Sequence, residues 1–216
     1  MVSDKINILK TKLPKDVVLV AVSKTKPIET ILEACSKGHL DFGENKVQEL
    51  VQKQENLPKN IRWHMIGHVQ RNKVKYIAPF VYLIHGVDSL RLLNEINKQG
   101  KKNNKTINCL LQIHIAKEEN KFGFDIQEIK EFIENKQYEL WTHVKIVGVM
   151  GMATFTENKN LVKQEFEQLK SYFDELKPFF SKEFKIISMG MSGDYKEAIE
   201  AGSNMVRIGS SLFGRR

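Results

Sequence analysis

The sequence has 216 residues, 41% hydrophobic and 28% charged, which is the composition of an ordinary soluble globular protein long enough for one domain with a proper core. No run approaches the roughly 20 apolar residues of a membrane span, and residues 1–15 lack the apolar centre of a signal peptide, so a cytoplasmic location is expected. The net charge of +8 invites a nucleic-acid reading, but the lysines alternate with glutamates, as in residues 128–134, and the densest run, 98–105, offers no aromatic ring for a base; a general attraction for phosphate-bearing ligands is what remains.

Taken in order, residues 17–22 form an apolar run, β-branched at four positions, of the kind buried on both faces of a parallel sheet, and Lys24 stands at its downstream end. Pro27 and Glu29 suit the first turn of a helix that carries Ile28, Ile31, Leu32 and Cys35 at helical spacing until Gly38. A strand at 40–42 leads through Gly43-Glu44-Asn45 into a helix bearing Val47, Leu50 and Val51 that ends before Pro58. Strand 61–66 is followed by a basic helix at 70–77, and strand 80–87 by a helix at 90–99 capped by Asp88 or Ser89. Strand 109–115, a loop holding Lys121-Phe122-Gly123-Phe124, and a helix capped by Asp125 come next. Strand 144–152 precedes the longest helix, 159–176, stopped by Pro178; strand 185–189, helix 195–201, strand 205–208 and a short terminal helix starting at Ser210 or Ser211 complete the chain. Eight strand signals alternating with helical ones in a single domain, 1–216, predict an α/β protein of the (β/α)8 TIM-barrel class, with a doubly wound open sheet as the alternative.

Strand ends in such barrels open onto the ligand crevice, so a lysine there is pointed into a pocket, where partial burial frees its amine as a nucleophile toward carbonyls; the bland alternative is a solvated charge closing a strand. The last two junctions, SMGMSGDYKEAIEAG and VRIGSSLFG, each place glycines and hydroxyls at the opening of a helix, where phosphate is frequently held in barrels. Ser192 and Ser210 are the hydroxyl donors there, and the competing reading has Ser192 or Asp194 capping the helix, with Asp194 and Glu197 as a capping-box-like pair. Arg207 alternates with Val206 and Ile208, so it faces away from them, toward either an anion, a ring nitrogen or a surface salt bridge. Closure sets the eighth strand beside the first. Lys24, a phosphate cradle and Arg207 at one mouth are the contacts expected for pyridoxal 5′-phosphate (PLP) held as a Schiff base.

Other chemistry finds less support. Cys35 and Cys109 have no metal or redox spacing and read as buried thiols. His64 and His68 are four apart, but Gly67 interrupts them at a strand end and HExxH is absent; His64 reads as a pocket wall and His68 as a loop residue, so no metal is expected.

Several ordered blocks resemble one family, the pyridoxal phosphate homeostasis proteins, relatives of the barrel domain of alanine racemase: AVSKTKP at 21–27, FGENKVQE at 42–49, WHMIGHVQRNK at 63–73, KFGF at 121–124, GVMGMAT at 148–154, SMGMSGDYKEAIEAGS at 188–203 and MVRIGSSLFGRR at 205–216. The resemblance implies a PLP-binding barrel in which Lys24 forms the Schiff base, Ser192, Gly209 and Ser210 hold the phosphate, Arg207 faces the pyridine nitrogen and Asn45 lies on the ring side. One departure stands out: the family commonly reads His-Ser-Val-Asp where this chain has His85-Gly86-Val87-Asp88. An arginine is always cationic and cannot accept the ring proton as a carboxylate would, so the ring would be a weak electron sink. Racemisation by relatives also uses a tyrosine from an additional β domain, which this sequence does not show after the barrel pattern; Tyr195 reads as a helix residue. The function implied is therefore intracellular PLP homeostasis without efficient turnover, the alternative being a low-activity amino-acid racemase. The partners implied are PLP and PLP-dependent apo-enzymes as recipients, with no nucleic acid or membrane, and the chain a monomer or a weak dimer.

Overall fold

Each short apolar run becomes a strand, and a helix follows it. The computed structural model of the protein describes residues 1–118 and 122–214. The strands are β1 (Val18–Val22), β2 (Asp41–Glu44), β3 (Arg62–Met65), β4 (Leu83–Val87), β5 (Ile107–Gln112), β6 (Val144–Met150), β7 (Ile186–Ser188) and β8 (Met205–Ile208). They pair in parallel in chain order, and β8 pairs with β1, opposing Val20 to Arg207, so the sheet closes into a barrel rather than staying open. Around it run α2 (Ile28–Ser36), α3 (Val47–Asn56), α4 (Val74–Ile77), α5 (Leu90–Lys102), α6 (Ile126–Glu134), α7 (Lys159–Leu176), α8 (Tyr195–Glu200) and α9 (Ser210–Phe213), with α1 (Val2–Lys12) ahead of β1.

Strand alternation divides the core into two layers. Val20, Leu83, Leu110, Val147, Met150 and Met205 come from strands all round the barrel and touch one another, which is possible only in its lumen. Leu19, Ala21, Phe42, Trp63 and Val206 alternate with lumen positions and belong to the outer layer, which they share with helix residues such as Leu50 of α3 and Phe166 of α7. Val20 and Met205 therefore mark the inward face of β1 and β8, Val22 and Arg207 continue that face toward the C-terminal mouth, and Lys24 follows in the turn beyond β1.

The capping chemistry follows the sequence closely. Of the two candidates before α5 it is Ser89 that caps, its Oγ accepting the Leu92 N–H at 3.4 Å. Asp125 caps α6 in a full capping box, accepting the Gln127 N–H at 2.8 Å while Glu128 accepts the Asp125 N–H at 2.9 Å. Two segments differ from expectation. The basic helix at 70–77 is a 3-10 turn, Arg71–Lys73, followed by the single turn of α4. The first eleven helical residues, α1, carry too weak an apolar stripe to be read as a helix: only Ser3 and Ile6 are buried, and Ser3 anchors the helix by donating from N and Oγ to Glu33 at 3.1 and 2.7 Å.

Gly148 marks a point where backbone geometry dictates the residue. The β5–β6 register shifts there, its φ is 156°, and a Cβ would lie 1.9 Å from the Ile186 carbonyl oxygen of β7. Gly148→Ala should therefore lower unfolding stability by more than about 2 kcal/mol, read as a reduced urea midpoint, whereas an unchanged midpoint would show that the bulge yields freely.

Candidate functional site

The Lys24 turn is built at the end of β1 and held from behind. The Ser23 N–H donates to the Gly43 carbonyl at 3.0 Å, extending the ladder by one bond, and the Lys26 N–H closes a turn on the Ser23 carbonyl at 3.0 Å. Thr25 sits at φ 63°, a left-handed conformation that costs energy for a branched residue, and its N–H donates to Glu49 Oε1. Lys53 of α3 donates from Nζ to the Ser23 carbonyl, Glu44 Oε1 and Glu49 Oε1, each at 2.7 Å, while Ser23 Oγ donates to Glu44 Oε1 at 2.6 Å. Glu44 is fully buried and Lys53 nearly so, and Glu44 Oε2 has no partner among the described residues. Burial, only partly offset by Lys53 and Ser23, raises the Glu44 carboxyl to about 6. This ionic clamp fixes the backbone on both sides of Lys24, whose half-buried side chain has no hydrogen-bonding or ionic partner among the described residues.

The cradle at the last two strands lies against the same turn. Gly209 packs on β1, since a Cβ added to it would meet Val22 Cβ at 3.3 Å, and Lys26 Nζ donates to the Phe213 carbonyl of α9 at 3.1 Å. Ser192, in the loop after β7, accepts on Oγ from the N–H groups of Gly209 at 3.3 Å and Ser211 at 3.4 Å, tying the two glycine-bearing loops together. Ser210 is exposed beside them. The capping alternative holds in position only: Asp194 is the N-cap residue of α8 but makes no side-chain cap bond, accepting instead from the Met191 N–H at 2.6 Å, while Glu197 pairs with Lys159 at 2.9 Å.

Arg207 is buried in the lumen, which removes the surface salt bridge as a reading. Its Nη1 donates to the carbonyl and Oγ of Ser188 at 2.8 and 2.7 Å, and its Nη2 to the Gly151 carbonyl at 3.1 Å, with no carboxylate in ion-pair range among the described residues. Burial lowers its guanidinium to about 10, with distant Asp194 acting in the other direction, so it stays charged at neutral pH. Asn45 follows β2 on the lumen side of Gly43, its backbone pressed on Gly67 after β3. The structure thus gathers Lys24, Ser192, Gly209, Ser210 and Arg207 around β1, β7 and β8, with Asn45 one strand further.

His64 is not a wall of the mouth. It is fully buried within the lumen, its Nδ1 2.9 Å from His85 Nε2 and its Nε2 3.1 Å from Asp41 Oδ1. His68 is a loop residue, paired with Asp88 at 2.7 Å and stacked on Phe122 at 4.2 Å. No cluster suited to a metal occurs among the described residues. Gly86 leaves no room for a side chain, since a Cβ would lie 2.6 Å from the Gly67 carbonyl oxygen. Lys121, Arg215 and Arg216, which belong to the sequence blocks above, lie outside the described residues. Clefts of about 300 Å³ between α5 and α6 and about 370 Å³ near Pro14 and Asn204 contain none of the six candidate residues.

Residues 2–216 match the family model of the alanine racemase N-terminal domain. A pyridoxal phosphate homeostasis protein of Aquifex aeolicus is 40% identical over 200 residues, 92% of this chain and 86% of that one, and a human protein of the same name is 36% identical over 214 residues, 92% and 76% of the two chains. The chain belongs to the pyridoxal phosphate homeostasis protein family. A solved structure of PipY from Synechococcus elongatus without PLP superposes on this family member with a TM-score of 0.92 at 30% identity, covering 99% of this chain and 100% of that one; PipY with PLP bound gives 0.89 at the same identity and coverage. Alanine racemase of Clostridium difficile shares the fold at 17% identity and a TM-score of 0.81, this chain spanning 60% of its length.

For this pyridoxal phosphate homeostasis protein family member, the Lys53–Glu44 clamp has a measurable signature. Lys53→Met leaves a buried carboxylate unpaired and should cost on the order of 3 kcal/mol at pH 7.5. Glu44 already has a folded pKa raised above its unfolded value, and losing Lys53 raises it further; such a carboxyl favours the folded state as pH falls through that raised pKa. The loss should accordingly shrink between pH 7.5 and pH 5 in urea titrations of both proteins, whereas a pH-independent loss would place the effect in packing alone.

Proposed function

We propose that the protein binds PLP at the mouth of the barrel and serves PLP homeostasis, storing the cofactor and handing it to PLP-dependent apo-enzymes, with little substrate turnover of its own. The observation that carries this reading is the contact between the Lys24 turn and the cradle, through Gly209 against Val22 and Lys26 on the Phe213 carbonyl. The donor set fits the group. Ser192 Oγ occupies the position of an oxygen acceptor for two backbone N–H groups, and a phosphate oxygen accepts such bonds equally well while the hydroxyl turns to donate. The relative PipY, solved with PLP, supports the cofactor's identity.

In this reading Lys24 supplies the amine of the Schiff base, Ser192, Gly209 and Ser210 hold the phosphate, Arg207 meets the ring nitrogen and Asn45 lies beside the ring. Once bound through an amine, PLP supplies an electron sink for bonds at the attached carbon, and its strength depends on the charge at the ring nitrogen. Arg207 keeps its protons to about pH 10 and donates rather than accepts, so it favours an unprotonated ring and a weak sink. That electronic setting suits reversible capture of an aldehyde better than repeated bond cleavage.

PLP added to the purified protein should produce a near-visible band that borohydride abolishes, with the reduced adduct mapped by mass spectrometry to Lys24 and lost in Lys24→Ala. Pyridoxal, which lacks the phosphate, should bind at least about tenfold more weakly. An adduct spread over surface lysines, or a band that survives in Lys24→Ala, would contradict the assignment. Chiral assay of alanine, serine and glutamate should find no sustained turnover; Lys24-dependent racemisation would instead make the protein an enzyme.

A further inference from the structure

A barrel lumen is normally filled by branched apolar side chains, and each polar group buried there needs a partner. Here five polar residues on five strands form one line across it. Arg207 Nη1 donates to Ser188 Oγ at 2.7 Å; Ser188 Oγ lies 3.0 Å from His85 Nδ1; His85 Nε2 lies 2.9 Å from His64 Nδ1; and His64 Nε2 lies 3.1 Å from Asp41 Oδ1. Asp41 in turn takes both oxygens' worth of hydrogen bonds from Arg62 at the N-terminal end of the barrel.

With both imidazoles neutral, as their burial favours, the polarity of this line is fixed. A guanidinium can only donate, so Ser188 accepts from Arg207; at the other end an ionised Asp41 can only accept, so with both imidazoles neutral the donors run back from it and the Ser188 hydroxyl proton goes to His85 Nδ1. His85 must then carry its proton on Nε2 and donate to His64 Nδ1, and His64 must carry its proton on Nε2 and donate to Asp41. Every bond, the Ser188 hydroxyl proton included, is satisfied with Arg207 charged, both imidazoles neutral and Asp41 ionised; an imidazolium at His64 would reverse the His85 tautomer and leave the Ser188 proton no acceptor in the line. The electrostatics agree: burial holds both imidazoles below their usual range, His85 further through His64 and Arg207. Burial alone would raise Asp41, but His64 and Arg62 together hold it well below the usual carboxylate range.

We propose that Ser188, His85, His64 and Asp41 are positioning residues for Arg207, a hydrogen-bond line of fixed polarity that orients the guanidinium and sets its charge where the cofactor ring meets it. The proposal rests on the reading that the ring nitrogen faces Arg207. Three of the five guanidinium N–H groups are spent on Ser188 and Gly151, which stops the group from turning and leaves the others for a ligand. Because neighbouring bonds polarise one another, a change at the Asp41 end is felt at the ring.

The wild-type chain loaded with PLP provides the first test. Nitrogen-15 spectra of labelled histidine should show His64 and His85 as neutral imidazoles protonated on Nε2; an Nδ1-protonated tautomer or an imidazolium at either residue would overturn the line. In parallel, folded His85→Leu should retain the Lys24 adduct after borohydride yet bind PLP about tenfold more weakly, with a shifted near-visible band. His85→Asn, whose carbonyl can occupy the Nδ1 acceptor position but reaches no further toward His64, should recover only part of the affinity that His85→Leu loses. If Arg207→Gln shifts the band and weakens binding while His85→Leu does neither, the positioning role is overturned and the ring contact stands. If Arg207→Gln changes neither, the ring contact itself fails.

Discussion

The pairing of β8 with β1 is the constraint from which the mouth of this barrel follows. Its register sets Arg207 against Val20, and from there the two strands deliver Gly209 and Lys24 to the same rim. The hydrogen bonds of that seam join residues nearly the whole chain apart, so the proposed chemistry exists only once the sheet has closed. An open sheet would leave the lysine and the glycine-bearing loops at opposite edges.

Two different devices support the converging parts. Behind β1 and β2, on the helix side, the buried Lys53–Glu44–Glu49 group pins the backbone on either side of Lys24 and holds Thr25 in a left-handed turn. Inside the lumen, the line from Arg207 to Asp41 replaces apolar filling with hydrogen bonds. Buried ionic groups of this kind add little net stability, because desolvation offsets their attraction, but losing one member is expensive. Their value in this fold is geometric: each fixes its surroundings while leaving a side chain, Lys24 or part of Arg207, without a partner among the described residues.

The architecture was legible in the sequence because β-branched runs, Gly stops and Asp or Ser caps recur at regular spacing. What escaped reading depended on contacts between distant residues. Residues 2–12 form α1 with a single buried aliphatic side chain, Ile6, and the helix is held by Ser3 on Glu33 as well as by that residue and the partly buried Val2 and Leu9. His64, His85 and Ser188 sit in strands of three to five residues, too short for one inward polar residue to break the apolar pattern. The signal available was that each strand carries such a residue at an inward position; only closure shows that they meet. Ser192 reads equally as a cap or a ligand in sequence, and only the folded chain shows its Oγ accepting from the amides of Gly209 and Ser211 in the neighbouring loop. Gly86 is explained by the close approach of the Gly67 carbonyl, a contact between neighbouring strands.

A crystal structure of the protein soaked with PLP tests whether the Lys24 turn and the glycine-bearing loops hold one ligand between them. Continuous density is expected from Lys24 Nζ to the cofactor, with its phosphate on the amides of Gly209 and Ser211, the Ser192 hydroxyl turned to donate, and the ring nitrogen against Arg207. Cofactor density attached to another lysine, or lying away from those amides, would contradict that arrangement.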